Sequence, residues 1–132
     1  QAPAQQVVAG PLPARNVSLE QAAQSGDLTA QYELALQRIG SGRAAEGVTL
    51  LRRAADRGFA MAQYRMAKLY ERGEGVGQDM IEAYRWLKLA ANQAHPKAAT
   101  ELSFVAAQLA PAERAIAESL VKMPASDPTK AP

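Results

Sequence analysis

Cysteine is absent from this 132-residue chain, which excludes a disulfide framework and any thiolate metal site. Reducing and oxidising compartments both tolerate such a chain, so its absence leaves the compartment open. Aromatic residues make up only 5% of the sequence, a poor match to the strands of a β-sandwich. No apolar run approaches the roughly 20 residues that span a bilayer. Charge of one sign is scarce as well: 15 Lys and Arg against 13 Asp and Glu leave a net +2, far from the dense basic stripe of a nucleic-acid binder, and no nucleic-acid partner is expected. The chain opens at Gln1 with neither Met nor a leader pattern, and is expected to be a processed product or a piece of a longer protein.

Alanine is what the sequence has in quantity, and it accounts for much of a hydrophobic fraction of 48%. An Ala-rich, aromatic-poor chain suits helices packed closely through small side chains. Residues 1–13, QAPAQQVVAGPLP, lack any period and read as a flexible linker, and residues 123–132, with three prolines, read as a loose tail. Seven helices are predicted between them. Ser18 and Gln21 have the spacing of a capping box, and the helix they open should end near Gly26. Asp27 is placed to cap a second helix over 28–40, with Leu34 and Ala35 inward. Others are expected over about 43–57, stopping at Gly58, and over about 60–72. After the turn GEGVG at 73–77 comes a helix with Asp79 in its first turn, reaching about 93. The last two are expected to start at His95-Pro96 and at Pro111, the latter running to about Lys122.

Three words echo along these helices: AAQSG at 22–26, AADRG at 54–58 and AANQA at 90–94, spaced by 32 and 36 residues. Ala30, Ala62 and Ala98, at the start of the next helix each time, repeat the same intervals. Two anchors with the same periods indicate an array of helical hairpins, in which Ala-Ala ends the second helix and Gly terminates it. AQYELA (30–35) aligns with AQYRMA (62–67), Leu50 with Trp86, and Gly47 with Ala83. The length difference then falls in the turn inside each pair, Gly42 in one and Glu74 to Gln78 in the other, where repeats tolerate insertion. Ala62, Ala67, Ala83, Ala90 and Ala91 should let backbones approach, with Met66, Tyr70, Trp86 and Leu87 filling the space between.

The stretch 62–91 resembles a Sel1-like repeat, a relative of the tetratricopeptide repeat, through Met66-Ala67, Tyr70, Gly73-x-Gly75-Val76, Asp79, Ala83, Trp86 and Ala90-Ala91. The resemblance implies an all-α fold, a right-handed α-solenoid of about seven helices in antiparallel pairs. Its domain would cover 14–122: a half-repeat cap at 14–29, repeats at 30–61 and 62–97, and a degenerate C-terminal repeat at 98–122. In such solenoids the first helices of successive pairs line a concave wall. The register stacks Glu33, Arg65 and Glu101 in one column and Leu36, Lys68 and Phe104 in another, with Arg72 one turn beyond Lys68. These seven are the candidate partner-binding residues. For the charged column, a ladder of opposite charges and a ligand role both stay open. Leu36 and Phe104 are expected in ordinary core or seam packing; exposed, they would be apolar anchors beside a basic centre.

Catalytic constellations are not apparent. His95, before Pro96, suits a surface or capping role better than a metal site or a triad. Ser119-x-x-Lys122 matches the S-x-x-K of penicillin-interacting enzymes but lacks their S-D-N and K-T-G elements, and GEGVG lacks the Lys-Ser/Thr of a phosphate loop. No cofactor and no metal are expected. The sequence is therefore read as a non-catalytic scaffold or adaptor that binds a protein or peptide on its concave helical face. Pro/Ala/Gln-rich flanks around the array resemble the periplasmic part of PodJ-like polarity localisation factors. That resemblance implies a periplasmic setting (the cytoplasm being the alternative), tethering to the membrane through a parent protein, and an envelope partner, peptidoglycan-associated among them. The alternative function is a cell-wall-fragment or β-lactam-binding protein or enzyme of the Sel1-like type.

Overall fold

Residues 18–123 are described in a computed structural model. The linker expected at 1–13, residues 14–17 of the cap, and the tail after Met123 lie outside the described residues. Seven helices follow in order: α1 (Leu19–Gln24), α2 (Leu28–Gly40), α3 (Ala44–Asp56), α4 (Ala60–Arg72), α5 (Met80–Asn92), α6 (Ala98–Gln108) and α7 (Pro111–Lys122). Among the described residues there is no strand. Helices α2 and α3 form one pair and α4 and α5 the next, α1 packs on α2, α3 packs on α4, and α5 is covered by both α6 and α7. The fold is an α-solenoid.

Several starts are set by side chains that take up orphan amide donors. The Ser18 hydroxyl accepts the Gln21 N–H at 3.0 Å while the Gln21 side-chain oxygen Oε1 accepts the Ser18 N–H at 3.1 Å. Asp27 accepts the Ala30 N–H at 2.9 Å. Asp79 accepts from Ile81 and Glu82 at 3.0 and 3.1 Å, as the N-cap rather than a first-turn residue. The sixth helix departs from expectation: it opens at Ala98, not at His95-Pro96. The backbone at 95–97 is committed elsewhere, because the His95 N–H reaches back to the Ala90 carbonyl at 3.1 Å to close α5.

That closure explains the repeated word. Gly26, Gly58 and Ala94 donate to Ala23, Ala55 and Ala91, and the next residue in each case donates to Ala22, Ala54 and Ala90, all within 2.9–3.1 Å. This is the paired bonding of a Schellman motif, in which the fifth residue of the word must be left-handed. Gly26 and Gly58 adopt φ of +97° and +91°, and Ala94 is forced to +63° despite its β-carbon. In the turn between α4 and α5, left-handed backbone falls on Gly73 and Gly75 and not on Gly77.

Neighbouring repeats are tied by a second recurrent device. Gln31 and Gln63, at equivalent positions, are both buried. The amide of Gln31 donates to the Ala23 carbonyl at 3.0 Å, and that of Gln63 to the Ala55 carbonyl at 3.1 Å. Each glutamine thus fastens a first helix to the Ala-Ala end of the preceding second helix. Beside each tie, a tyrosine packs on the ring that precedes the next first helix: Tyr32 against Phe59 edge-on at 5.6 Å, and Tyr64 against His95 stacked at 4.3 Å.

Ala35, Ala54, Ala62, Ala67, Ala83, Ala90 and Ala98 are fully buried around Leu51, Met66, Trp86 and Leu87. Ala91, expected among the small contacts, is only partly buried against this core, as is Val76 of the turn. Close approach is tightest at Gly47, where a β-carbon would lie 2.6 Å from both the Ala35 carbonyl oxygen and Ile39 Cγ1. A smaller cluster of Ala23, Ala30 and Leu34 seats α1.

Candidate interaction surface

The first helices α2, α4 and α6 carry all seven candidate residues. Lys68 and Glu101 come together: the ammonium lies 2.7 Å from one carboxylate oxygen, while the Tyr64 hydroxyl donates to the other. Glu71 adds a longer pair to Lys68 at 3.4 Å. Of the two readings left open for Glu33, Arg65 and Glu101, a ladder of ion pairs within the column is not among the pairs of the described residues; the ion pair found runs diagonally, from the second column to the first. Helical stagger accounts for this: Tyr64 and Lys68, one turn apart on α4, both converge on Glu101 of α6.

Among the described residues Arg65 has a buried Nε without a hydrogen-bond partner, and neither it nor Glu33 or Arg72 takes part in any of the ion pairs. Phe104 corrects a second expectation, being 67% exposed rather than packed in a seam. Helix α6 is the last first-helix described, so no further repeat among these residues covers its outer side. Leu36 is half-buried and belongs to neither core cluster.

Electrostatics at the α4–α6 contact follow from this geometry. Burial pushes the Tyr64 phenol up to about 12, and its bond to Glu101 adds to the shift. Burial also acts to raise Glu101, but hydrogen bonds from Lys68 and Tyr64 outweigh it and hold the carboxyl below its usual range. His95, stacked on Tyr64, is pushed down by burial against the opposing pull of Glu101. Its Nδ1 accepts the Lys97 N–H at 3.2 Å, a capping role at the start of α6.

A depression of about 390 Å³ beside the second helices is lined by Arg52, Tyr70, Glu82, Arg85 and neighbours, whose charges are engaged: Arg52 donates to the Tyr70 hydroxyl and Arg85 pairs with Glu82 at 3.2 Å. Ser119 and Lys122 are both exposed on α7. Among the described residues no cluster of three or more His, Asp or Glu is placed to hold a metal ion, and no helix is long and apolar enough to cross a membrane.

The Sel1 repeat model matches twice, over residues 28–59 and 60–95, more than half of the chain. The chain belongs to the Sel1-repeat family. Sel1 repeats generally serve as protein-interaction scaffolds and are generally non-catalytic. Among curated relatives, the chain is 44% identical over 63 residues to the localization factor PodJL of Caulobacter vibrioides, covering 47% of this chain and 6% of that protein. It is 38% identical over 76 residues to the alginate biosynthesis protein AlgK of Azotobacter vinelandii, covering 58% of this chain and 16% of that one. The chain thus spans less than a fifth of either relative. Among solved structures it resembles c5321, a protective antigen of uropathogenic Escherichia coli with an SLR fold, at a TM-score of 0.71 and 25% identity, over 78% of this chain and 23% of that one.

Reasoning from the sequence missed Gln63, Tyr64 and their partners, although the repeated Ala-Gln-Tyr was their signal. A buried Gln at a fixed repeat position needs a hydrogen-bond partner, and the nearest orphan carbonyls are those ending the preceding helix.

Proposed function

We propose that this Sel1-repeat chain is a non-catalytic adaptor that holds a protein or peptide partner on the wall formed by α2, α4 and α6, the concave face of the solenoid. One observation carries the reading: Phe104 stands 67% exposed on α6, beside a row in which Lys68 is neutralised by Glu101 while Arg65, Arg72 and Glu33 keep their charges for a partner. An exposed aromatic ring next to unpaired guanidinium groups is the composition that concentrates binding energy in protein interfaces. The partner this wall suits is a segment of mixed or acidic charge with an apolar side chain. Similarity to PodJL supports placing the adaptor in the envelope, in the periplasm, as part of a larger polarity or envelope regulator.

Affinity capture from the native host tests the reading, with wild type set against Arg65→Glu/Phe104→Ala. Phe104 is exposed, and Arg65 is half-buried but belongs to neither core cluster, so the variant should keep its helical circular dichroism and lose specific partners. Retention of every partner at wild-type levels removes the wall assignment.

A further inference from the structure

We propose that the joint between α4–α5 and α6 is a pH-sensitive switch, because an imidazole there occupies the place a phenyl ring fills at the preceding joint and its lone pair caps the next helix. Phe59 and His95 hold the same position 36 residues apart. Their N–H groups make the same 3.1 Å bond back to Ala54 and Ala90, and their rings meet Tyr32 and Tyr64. The first joint is closed by two aromatic rings and has nothing to titrate near neutral pH. The second is closed by a ring whose charge changes between pH 5 and 8.

Protonation of His95 acts at a defined atom. Nδ1 accepts the Lys97 N–H at 3.2 Å; once it carries a proton, two N–H groups face each other and the cap is lost. The groups around the ring offset this only in part. Tyr64, from α4, is neutral and lies flat against it, 13° from coplanar. Lys97, from α6, repels the added charge, and Glu101, also from α6, attracts it, but burial of the ring outweighs that attraction. Both Glu101 oxygens are also engaged, one by Lys68 and one by Tyr64. Falling pH therefore loosens the start of α6 and, with it, the contact of Glu101 with α4. The joint itself is independent of the adaptor reading; only its consequence, a partner held more weakly in acid, rests on that reading.

The chain has one histidine, so its imidazole Hε1 resonance can be followed without assignment. It should titrate with a midpoint below that of a histidine in an unstructured peptide. Between pH 7.5 and 5.5 the folding equilibrium constant of wild type should fall by about fivefold more than that of His95→Phe, the worth of one ordinary hydrogen bond. Amide exchange should accelerate at Ala98 to Glu101 and not at the start of α4, and Phe59→His should carry the same sensitivity to the first joint. A midpoint at or above the peptide value, or an equal loss in His95→Phe, overturns the proposal. Should Phe59→His fail to fold, the wild-type resonance still decides. Partner capture plays no part in these readouts, so they can fail or succeed apart from the adaptor reading.

Discussion

Replacing the two repeat-linking glutamines one at a time separates the worth of the tie from the worth of its surroundings. Gln63 makes two hydrogen bonds, donating to the Ala55 carbonyl at 3.1 Å and accepting from Gln93 at 2.8 Å. Gln63→Ala removes both at about 1 kcal/mol each, together with a buried methylene at about 0.8 kcal/mol. The Ala55 carbonyl keeps the Gly58 N–H at 3.0 Å, so no orphan acceptor adds to the loss, and the total is about 2–4 kcal/mol. Gln31 makes the same donor bond, but its own side-chain oxygen is buried with no partner among the described residues. Gln31→Ala loses about 1.8 kcal/mol on the same counting and regains most of the 1–3 kcal/mol cost of that unpaired oxygen, leaving about 0–1 kcal/mol. Urea titration of both variants with an unchanged slope measures the difference, about 1 M or more in midpoint at the slopes of small domains. If Gln31→Ala is as costly as Gln63→Ala, the tie does not work through these bonds and the account of repeat coupling is wrong.

Other perturbations bear on the same joints. Ala94→Gly relieves a left-handed alanine and should raise stability by about 0.5–1 kcal/mol, a gain of a few degrees in melting temperature. Gly47→Ala drives a β-carbon to 2.6 Å from the Ala35 carbonyl oxygen and should cost about 1–3 kcal/mol by overpacking, whereas Ala83→Gly at the equivalent position meets no clash and loses a methyl contact and about 0.5–1 kcal/mol of helix preference. Acid unfolding should draw on Glu101: its carboxyl is held below its usual range in the folded chain, so its contribution is complete above about pH 4.3, the unfolded value, and is lost as pH falls through the folded one. Glu101→Gln should flatten that part of a stability-against-pH profile, and an unchanged profile counts against the Lys68–Glu101–Tyr64 contact.

Periodic features were legible in the sequence because they are dictated within a few residues. The Ala-Ala word gave the end of each second helix, since the Schellman bonds run over six consecutive residues and need only small side chains and a left-handed fifth position. Ser18, Asp27 and Pro111 marked helix starts for the same local reason. The start at His95-Pro96 was misplaced because the His95 N–H was already committed five residues back, a competition that proline's preference for first turns does not reveal. Columns came from repeat arithmetic, which leaves the pairing open. Position 65 aligns with 101 by repeat arithmetic, but side chains choose partners by reach across the stagger between helices, and Lys68 lies nearer. Phe104 was misjudged because its burial depends on whether a repeat follows, which is a property of the array and not of the residue.

The two joints share one backbone plan and differ in their side chains, and that contrast is where function can vary without loss of fold. Schellman bonds close both, so each remains a joint whatever occupies the variable places. At the first, Phe59 meets Tyr32 and Gln63 fastens α4 to the Ala55 carbonyl. At the second, His95 meets Tyr64, Gln93 donates across to Gln63, and Lys68 is locked to Glu101. The polar network at the second joint lies on the helices that form the candidate wall, and among the described residues Arg65 and Arg72 take part in none of the ion pairs. A partner seated there would contact both sides of that joint, so its grip depends on the angle the joint holds. Hence a change confined to the joint, such as Gln63→Ala, should weaken binding without touching a contact residue, whereas Gln31→Ala should leave binding unchanged; equal binding by both variants would separate the wall from the joint.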